Sequence, residues 1–305
     1  MLLDQWLLRS LIVCCCVLTA SVQADVRIQD SLGEQVFAEK PTRVVALNWA
    51  VTEELIELGI TPVGMADKRG YQDWVVHPQL PSGIKDVGRR GEPSIELIAS
   101  LQPDLILIGT QQLGLKKKLE RVAPVVYFDN YRADHHNPSA VEASFLELAR
   151  LLDREEVARE RLSLRDQQLQ KLRERLQASY PKGLPEVAVV RFVDTAHVRV
   201  YGRNSMVKAA TDALGLKPAL PQPVTTWGQT QKTLTDLAAV GQGTLLYIEP
   251  FAQKAALQKM PLWQQLPFVR KGRVAAVQPV WTYGGPLSIE YIAEAITQAL
   301  LELNS

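Results

Sequence analysis

The stretch Ser94-Ile95-Glu96-Leu97-Ile98-Ala99-Ser100-Leu101-Gln102-Pro103-Asp104-Leu105-Ile106-Leu107-Ile108 decides the reading of the fold. Residues 94–101 fit a helix. The unbroken apolar run that follows suits a strand buried on both faces, as in a parallel sheet. The same order recurs later, where Thr235-Asp236-Leu237-Ala238-Ala239 leads into Thr244-Leu245-Leu246-Tyr247-Ile248 and Asp236 stands where Glu96 stands. Helix–strand units are common, yet one in each half of the chain agrees with two lobes of similar build.

Outward from these units, short β-rich runs alternate with helical patterns, which points to α/β architecture. Strands are expected in the first half at 43–47, 63–66, 105–108 and 125–128, and helices at 51–58, 94–101 and 115–121. In the second half strands are expected at 187–192, 198–201, 245–248 and 274–277, and helices at 205–214, 234–240 and 262–269. Residues 154–179 differ: they hold no Gly or Pro, and Ala158, Leu162, Leu169, Leu172 and Leu176 recur at helical spacing opposite a charged face. As one helix they would span about 39 Å, ended by Pro181-Lys182-Gly183. A coiled-coil arm would need more clean heptads than the segment contains. The expected organisation is a signal peptide at 1–24, an α/β lobe at 25–153, one joining helix at 154–180 and a second α/β lobe at 181–305.

Across 305 residues, 34 Lys and Arg face 33 Asp and Glu, a net charge of +1. That balance excludes the strongly basic surface of a nucleic-acid or anionic-membrane binder. The three cysteines sit together at Cys14, Cys15 and Cys16, which suits neither a structural zinc site nor a disulfide framework. Residues 7–20 carry one charge, Arg9, and an apolar run shorter than the ~20 residues of a permanent span. They lead to Val22-Gln23-Ala24, the small-residue pattern that signal peptidase reads. Cleavage there removes Asp4 with Arg9 and every cysteine, leaving a thiol-free exported protein suited to an oxidising compartment. A membrane-anchored segment is the alternative. Lipidation is disfavoured because each cysteine follows Val13 or another Cys rather than Gly, Ala or Ser.

The inventory for catalysis is thin. Neither a Gly-x-x-x-x-Gly-Lys-Ser/Thr loop nor a Gly-x-Gly-x-x-Gly, Gly-x-Ser-x-Gly or His-Glu-x-x-His motif occurs. The four histidines are His77, His135, His136 and His197, and adjacent residues such as His135-His136 rarely ligate one ion together. A binding protein without a cofactor is therefore expected. Its rival, a secreted two-domain α/β enzyme, would need a nucleophile–base pair that so few histidines make hard to assemble.

Aromatic residues and arginines instead gather near expected loop tips. Tyr71-Gln72-Asp73-Trp74 follows a strand, Arg89-Arg90-Gly91-Glu92-Pro93 and Thr226-Trp227-Gly228 precede helices, and Trp281-Thr282-Tyr283-Gly284-Gly285 follows the strand at 274–277. Ligands of doubly wound sheets sit beyond the carboxyl ends of the strands, so these loops could line one cleft. Trp and Tyr offer rigid area with a polar handle, and Arg forks toward oxygen acceptors, a set suited to a compact, oxygen-rich, partly apolar ligand. Taken singly, each tryptophan could equally fill the core.

At these residues the chain resembles the periplasmic binding proteins of ABC importers for iron siderophores and vitamin B12, above all the ferric hydroxamate binders. The likeness runs through Arg43-Val44-Val45-Ala46-Leu47-Asn48-Trp49, residues 71–93, Thr226-Trp227-Gly228, Pro261-Leu262-Trp263-Gln264, Pro267-Phe268-Val269-Arg270 and Trp281-Thr282-Tyr283-Gly284. It implies two Rossmann-like lobes on one helical backbone, a shallow cleft with little closure, and a monomer in the periplasm. The ferric siderophore would supply every iron ligand, so no protein metal site or cofactor is expected; vitamin B12 or haem is the alternative cargo. Carried over, Arg90 would donate to the oxygens around iron. Trp74, Trp227, Trp281 and Tyr283 would pack on the organic framework, with Trp49 and Tyr71 from the same stretches beside them. Hydroxamate binders of the family carry a tyrosine where this chain reads Thr110-Gln111-Gln112-Leu113, so Gln112 offers a hydrogen bond there without a ring. Arg89 adds a second cation that suits a carboxylate- or citrate-containing chelate. Glu96 and Asp236 (or its neighbour Thr235) would meet arginines of the inner-membrane permease.

Overall fold

Burial of Leu105–Ile108 on both faces requires helices above and below it, and the computed structural model, which describes residues 25–304, supplies them. The expected signal peptide and the three cysteines lie outside the described residues. A hairpin of β1 (Val26–Asp30) and β2 (Gly33–Phe37) comes first. The chain continues through β3 (Val44–Ala46), α1 (Trp49–Glu57), β4 (Gly64–Met65), α2 (Lys68–Trp74), β5 (Lys85–Asp86), α3 (Ile95–Ser100), β6 (Leu105–Ile108), α4 (Lys116–Leu119) and β7 (Val125–Tyr127). The last five strands form a parallel sheet in the order β5-β4-β3-β6-β7. Ser94 caps α3, its Oγ accepting from Leu97 N at 3.2 Å, so the helix starts one residue inside its expected limit.

Two helices follow, α5 (Asn137–Leu151) and α6 (Glu155–Ser179). The second is the expected joining helix: Ala158, Leu169, Leu172 and Leu176 are its buried apolar positions, and Leu162 is half-buried. The other lobe comprises β8 (Glu186–Phe192), β9 (His197–Tyr201), α7 (Met206–Ala213), β10 (Lys217–Pro218), β11 (Gln229–Thr233), β12 (Thr244–Ile248), α8 (Lys254–Lys259), α9 (Pro261–Gln265), α10 (Pro267–Arg270) and β13 (Val274–Val277). Its sheet runs β11-β9-β8-β12-β13, with β9 antiparallel to both neighbours and β10 beside the start of β8. The chain closes with α11 (Ser288–Asn304), which packs on α6 and α7. The architecture is two α/β lobes joined by one long helix.

Local physics corrects several expected elements. Residues 71–74 are not a loop tip but the end of α2, which starts where Asp67 Oδ1 accepts from Gly70 N at 3.2 Å. His136 immediately precedes α5, whose first turn Pro138 favours. The expected helix at 262–269 divides at Leu266, which takes extended backbone before Pro267, as a residue preceding proline prefers. The expected helix at 234–240 is the 3-10 turn Thr235–Val240, ended by Gly241 at a φ of +58°.

The lobes meet along a polar seam beneath their facing edges. Glu53 on α1 accepts from Ser288 Oγ at 2.7 Å and Gly285 N at 3.1 Å. Tyr131 Oη donates to Gly284 O at 2.6 Å, and Arg161 on α6 pairs with Glu57 at 2.8 Å. Tyr291 Oη also donates to Glu57. A Cβ on Gly284 would lie 1.8 Å from Ser288 Oγ and 2.2 Å from Glu53 Oε2, so only glycine permits this approach.

Candidate functional site

Above the seam lies a cleft of about 450 Å³ between the carboxyl ends of the strands. The first lobe contributes Asn48 and Glu54 around α1, Arg90, Gly109-Thr110-Gln111 after β6, and Asn130 and Tyr131 after β7. The second contributes Arg199 on β9, Trp227 and Gln229 at β11, and Trp281 and Tyr283 after β13. Four residues singled out in the sequence, Arg90, Trp227, Trp281 and Tyr283, line it together.

Arg90 is held in place before any ligand arrives. Its guanidinium carbon sits 3.5 Å from the Trp49 ring centroid and 5.8 Å from that of Trp281. Nε lies 3.4 Å from Asp67 Oδ2, and the Arg90 carbonyl accepts from Gln112 Nε2 at 2.9 Å. Burial lowers the arginine's pKa and Asp67 opposes that shift, so the pair keeps a half-buried cation at the cleft wall. Trp49 is itself buried, its Nε1 donating to Asp67 O at 3.1 Å.

From there the rings form a chain across the lobes. Trp49 meets Trp281 edge-on at 4.9 Å, and Trp281 meets Tyr283 at 5.4 Å. Tyr283 contacts both Trp227 and Tyr131 edge-on at 5.8 and 5.7 Å, while Tyr131 and Trp227 stack at 5.8 Å. Trp227 is 43% exposed, a large apolar surface left open on the cleft wall.

The remaining expected ligand contacts fall elsewhere. Gln112 is fully buried, its Oε1 accepting from Gly109 N at 3.1 Å while its amide holds Arg90; it supports the site rather than lining it. Tyr71, 1% exposed, fills a core with Met65, Val75 and Ile84 and donates to Pro78 O at 3.0 Å. Trp74 lies outside the cleft lining, beneath the Arg191 guanidinium at 5.2 Å. Arg89 points to solvent, because the turn that aims Arg90 inward carries its neighbour out. Exposed Glu96, in the first turn of helix α3, and Asp236, in the 3-10 turn, are not among the cleft-lining residues, and each element precedes an interior strand of its sheet.

Sequence reasoning missed Tyr131, Arg199 and Glu54. Tyr131, after β7, adds a ring to the cleft lining beside Thr110 and Gln111. Alternation in His197-Val198-Arg199-Val200-Tyr201 was the available signal for Arg199, with both valines buried. Glu54 is 1% exposed, and neither carboxylate oxygen has a hydrogen-bond partner; burial raises its pKa to about 8. A second cavity of about 480 Å³ opens beside Phe192, Phe251 and Trp263 within the second lobe, away from both cleft walls.

A family model of periplasmic binding proteins matches residues 44–280. The chain belongs to the periplasmic binding protein family. This binding protein is 32% identical over 263 residues to the iron(3+)-hydroxamate-binding protein FhuD of Escherichia coli (strain K12), covering 85% of this chain and 87% of the relative. It is 25% identical over 259 residues to the Fe(3+) dicitrate-binding periplasmic protein FecB of the same organism, covering 82% and 81%. The crystal structure of the siderophore-binding protein FhuD from Vibrio cholerae with Fe3+-Desferal superposes with a TM-score of 0.84 at 43% identity, over 86% of this chain and 98% of that one.

Proposed function

We propose that this periplasmic binding protein takes a ferric siderophore, of hydroxamate or mixed carboxylate–hydroxamate type, and hands it to an inner-membrane ABC importer. The observation that carries the reading is Arg90, fixed against Trp49 in a cleft whose rings come from both lobes. A ferric hydroxamate presents oxygens around iron and an organic frame outside them. The guanidinium donates charge-assisted hydrogen bonds to the oxygens, and Trp227, Trp281 and Tyr283 cover the frame. Iron is cargo here, ligated by the siderophore, and no bond is made or broken. The iron(3+)-hydroxamate name of the E. coli relative and the Fe3+-Desferal in the Vibrio structure support this class of cargo.

Delivery rests on Glu96 and Asp236, exposed acids at matching places in the two lobes that would pair with arginines of the permease. Asp236 is held by Thr233, whose backbone N–H donates to it at 2.7 Å and lowers its pKa, so it stays anionic. The protein acts as a monomer in the periplasm, exported by its first 24 residues.

Titrating intrinsic tryptophan fluorescence with ferric hydroxamates and their iron-free forms tests the reading. Saturable quenching by the ferric forms is expected. Arg90→Ala should weaken binding by ~1.5–3 kcal/mol, the range of a hydrogen bond to a charged group, at unchanged fold. Unchanged affinity in that variant would remove Arg90 from the site.

A further inference from the structure

Arg199 occupies the second-lobe wall of the cleft and has no carboxylate partner among the described residues. In register it lies opposite Arg191 of β8 and Gln231 of β11. Arg191 is committed to protein: its Nη2 donates to Val280 O at 2.8 Å, and its guanidinium covers Trp74. Arg199, exposed at the cleft beside Tyr283 and Gln229, makes no such commitment. Its charge acts on Tyr283, opposing the upward shift that burial gives the phenol.

The charged residues lining the cleft are Arg90, Arg199 and Glu54. Asp67 stands behind Arg90 and offsets part of its charge. Glu54 offsets little at neutral pH, because burial keeps its carboxyl protonated until about pH 8. The cavity therefore presents an uncompensated cation, on the lobe opposite Arg90, to whatever the rings hold.

We propose that Arg199 makes this cleft select ferric chelates bearing free carboxylates, of the citrate–hydroxamate kind, over uncharged ferric tris-hydroxamates. This rests on the siderophore reading above and assigns the second cation to Arg199 in place of the solvent-facing Arg89. A guanidinium left free by the protein can take a pendant carboxylate in a two-pronged contact that a neutral chelate cannot return.

The test is fluorescence titration of the wild type, Arg199→Gln, Arg199→Lys and Arg89→Gln with ferric aerobactin, a citrate–dihydroxamate, and ferrichrome, a neutral tris-hydroxamate. Wild type should prefer ferric aerobactin by about 10-fold or more, with a preference that shrinks as salt rises. Arg199→Gln should lose about 10- to 100-fold for ferric aerobactin and less than about 3-fold for ferrichrome. Arg199→Lys should recover part of the loss, and Arg89→Gln should match wild type. Equal losses for both chelates, no loss, or a wild-type preference for ferrichrome would overturn the selectivity while leaving the siderophore reading standing. Silence of both ferric chelates with wild type would overturn the siderophore reading itself, and the selectivity with it. Melting temperatures, expected unchanged for this exposed position, separate lost contact from lost fold.

Discussion

The seam and the cleft above it are built from the same kinds of residue and do opposite work. In the seam Glu53, Glu57, Tyr131, Ser288 and Tyr291 answer one another across the lobes. In the cleft Arg199 has no carboxylate partner among the described residues, Trp227 keeps 43% of its surface open, and Arg90, though held by Trp49 and Asp67, lines the wall. The difference teaches how a two-lobed protein keeps a binding surface ready. Polar groups bonded across the lobes below, such as Glu53 Oε1 with Ser288 and Gly285, set the spacing of the walls, so groups above can stay free for cargo.

Glu54 sits where the two regions join, a carboxyl on the cleft floor without the partners its seam neighbours have. Replacing it offers the largest test of the contrast. Its folded pKa lies above the value of about 4.5 for a free carboxyl, so the folded state holds a proton the unfolded chain has released. Stability must then fall as pH rises from about 4.5 to about 8 and level off above, with a slope of up to ~1.4 kcal/mol per pH unit. Glu54→Gln should make this slope shallower, leaving the part contributed by buried Glu53 and Glu290, whose carboxyls burial also pushes up, and be the more stable protein by a few kcal/mol at pH 8, as measured by urea unfolding across pH. Parallel pH profiles for both proteins would mean that Glu54 is ionised in the fold.

Gly284→Ala attacks the seam itself. The added methyl collides with Ser288 and Glu53, and overpacking of this kind costs ~1–3 kcal/mol. A lower melting temperature is expected, together with weaker cargo binding because the walls lose their spacing. Weaker binding at an unchanged melting temperature would show that the seam sets geometry without contributing stability. Trp227→Ala should do the reverse on a smaller scale. It should raise the Kd several-fold, the worth of one aromatic contact at ~0.5–1.5 kcal/mol, with almost no change in melting temperature. A large drop in stability would place Trp227 in the structural frame.

Much of the frame was legible because it depends on local pattern. Leu105–Ile108 is apolar without interruption and is buried at every position, and the apolar stripe read in residues 154–179 lies on one helix, Glu155–Ser179. The terminal helix α11 escaped notice although Ile289, Ile292, Ala293, Ile296 and Leu300 show the same spacing. Arg90, Trp227, Trp281 and Tyr283 stood out as polar or aromatic residues near strand ends, and those ends converge in space. Tyr71 and Gln112 looked the same in sequence, yet one fills the core and the other holds a carbonyl. Residue type near a loop tip does not say which way the side chain turns.

By itself the sequence determined the two α/β halves, the helix between them and the family, because periodicity and motif order are properties of the chain. Tertiary structure alone decided that Arg199 rather than Arg89 joins Arg90 across the cleft, that Tyr131 lines the cleft, and that Glu54 is cut off from water. Each of these turns on which strand edges and helix faces the two lobes bring together, a distance through space that neighbours in sequence do not encode.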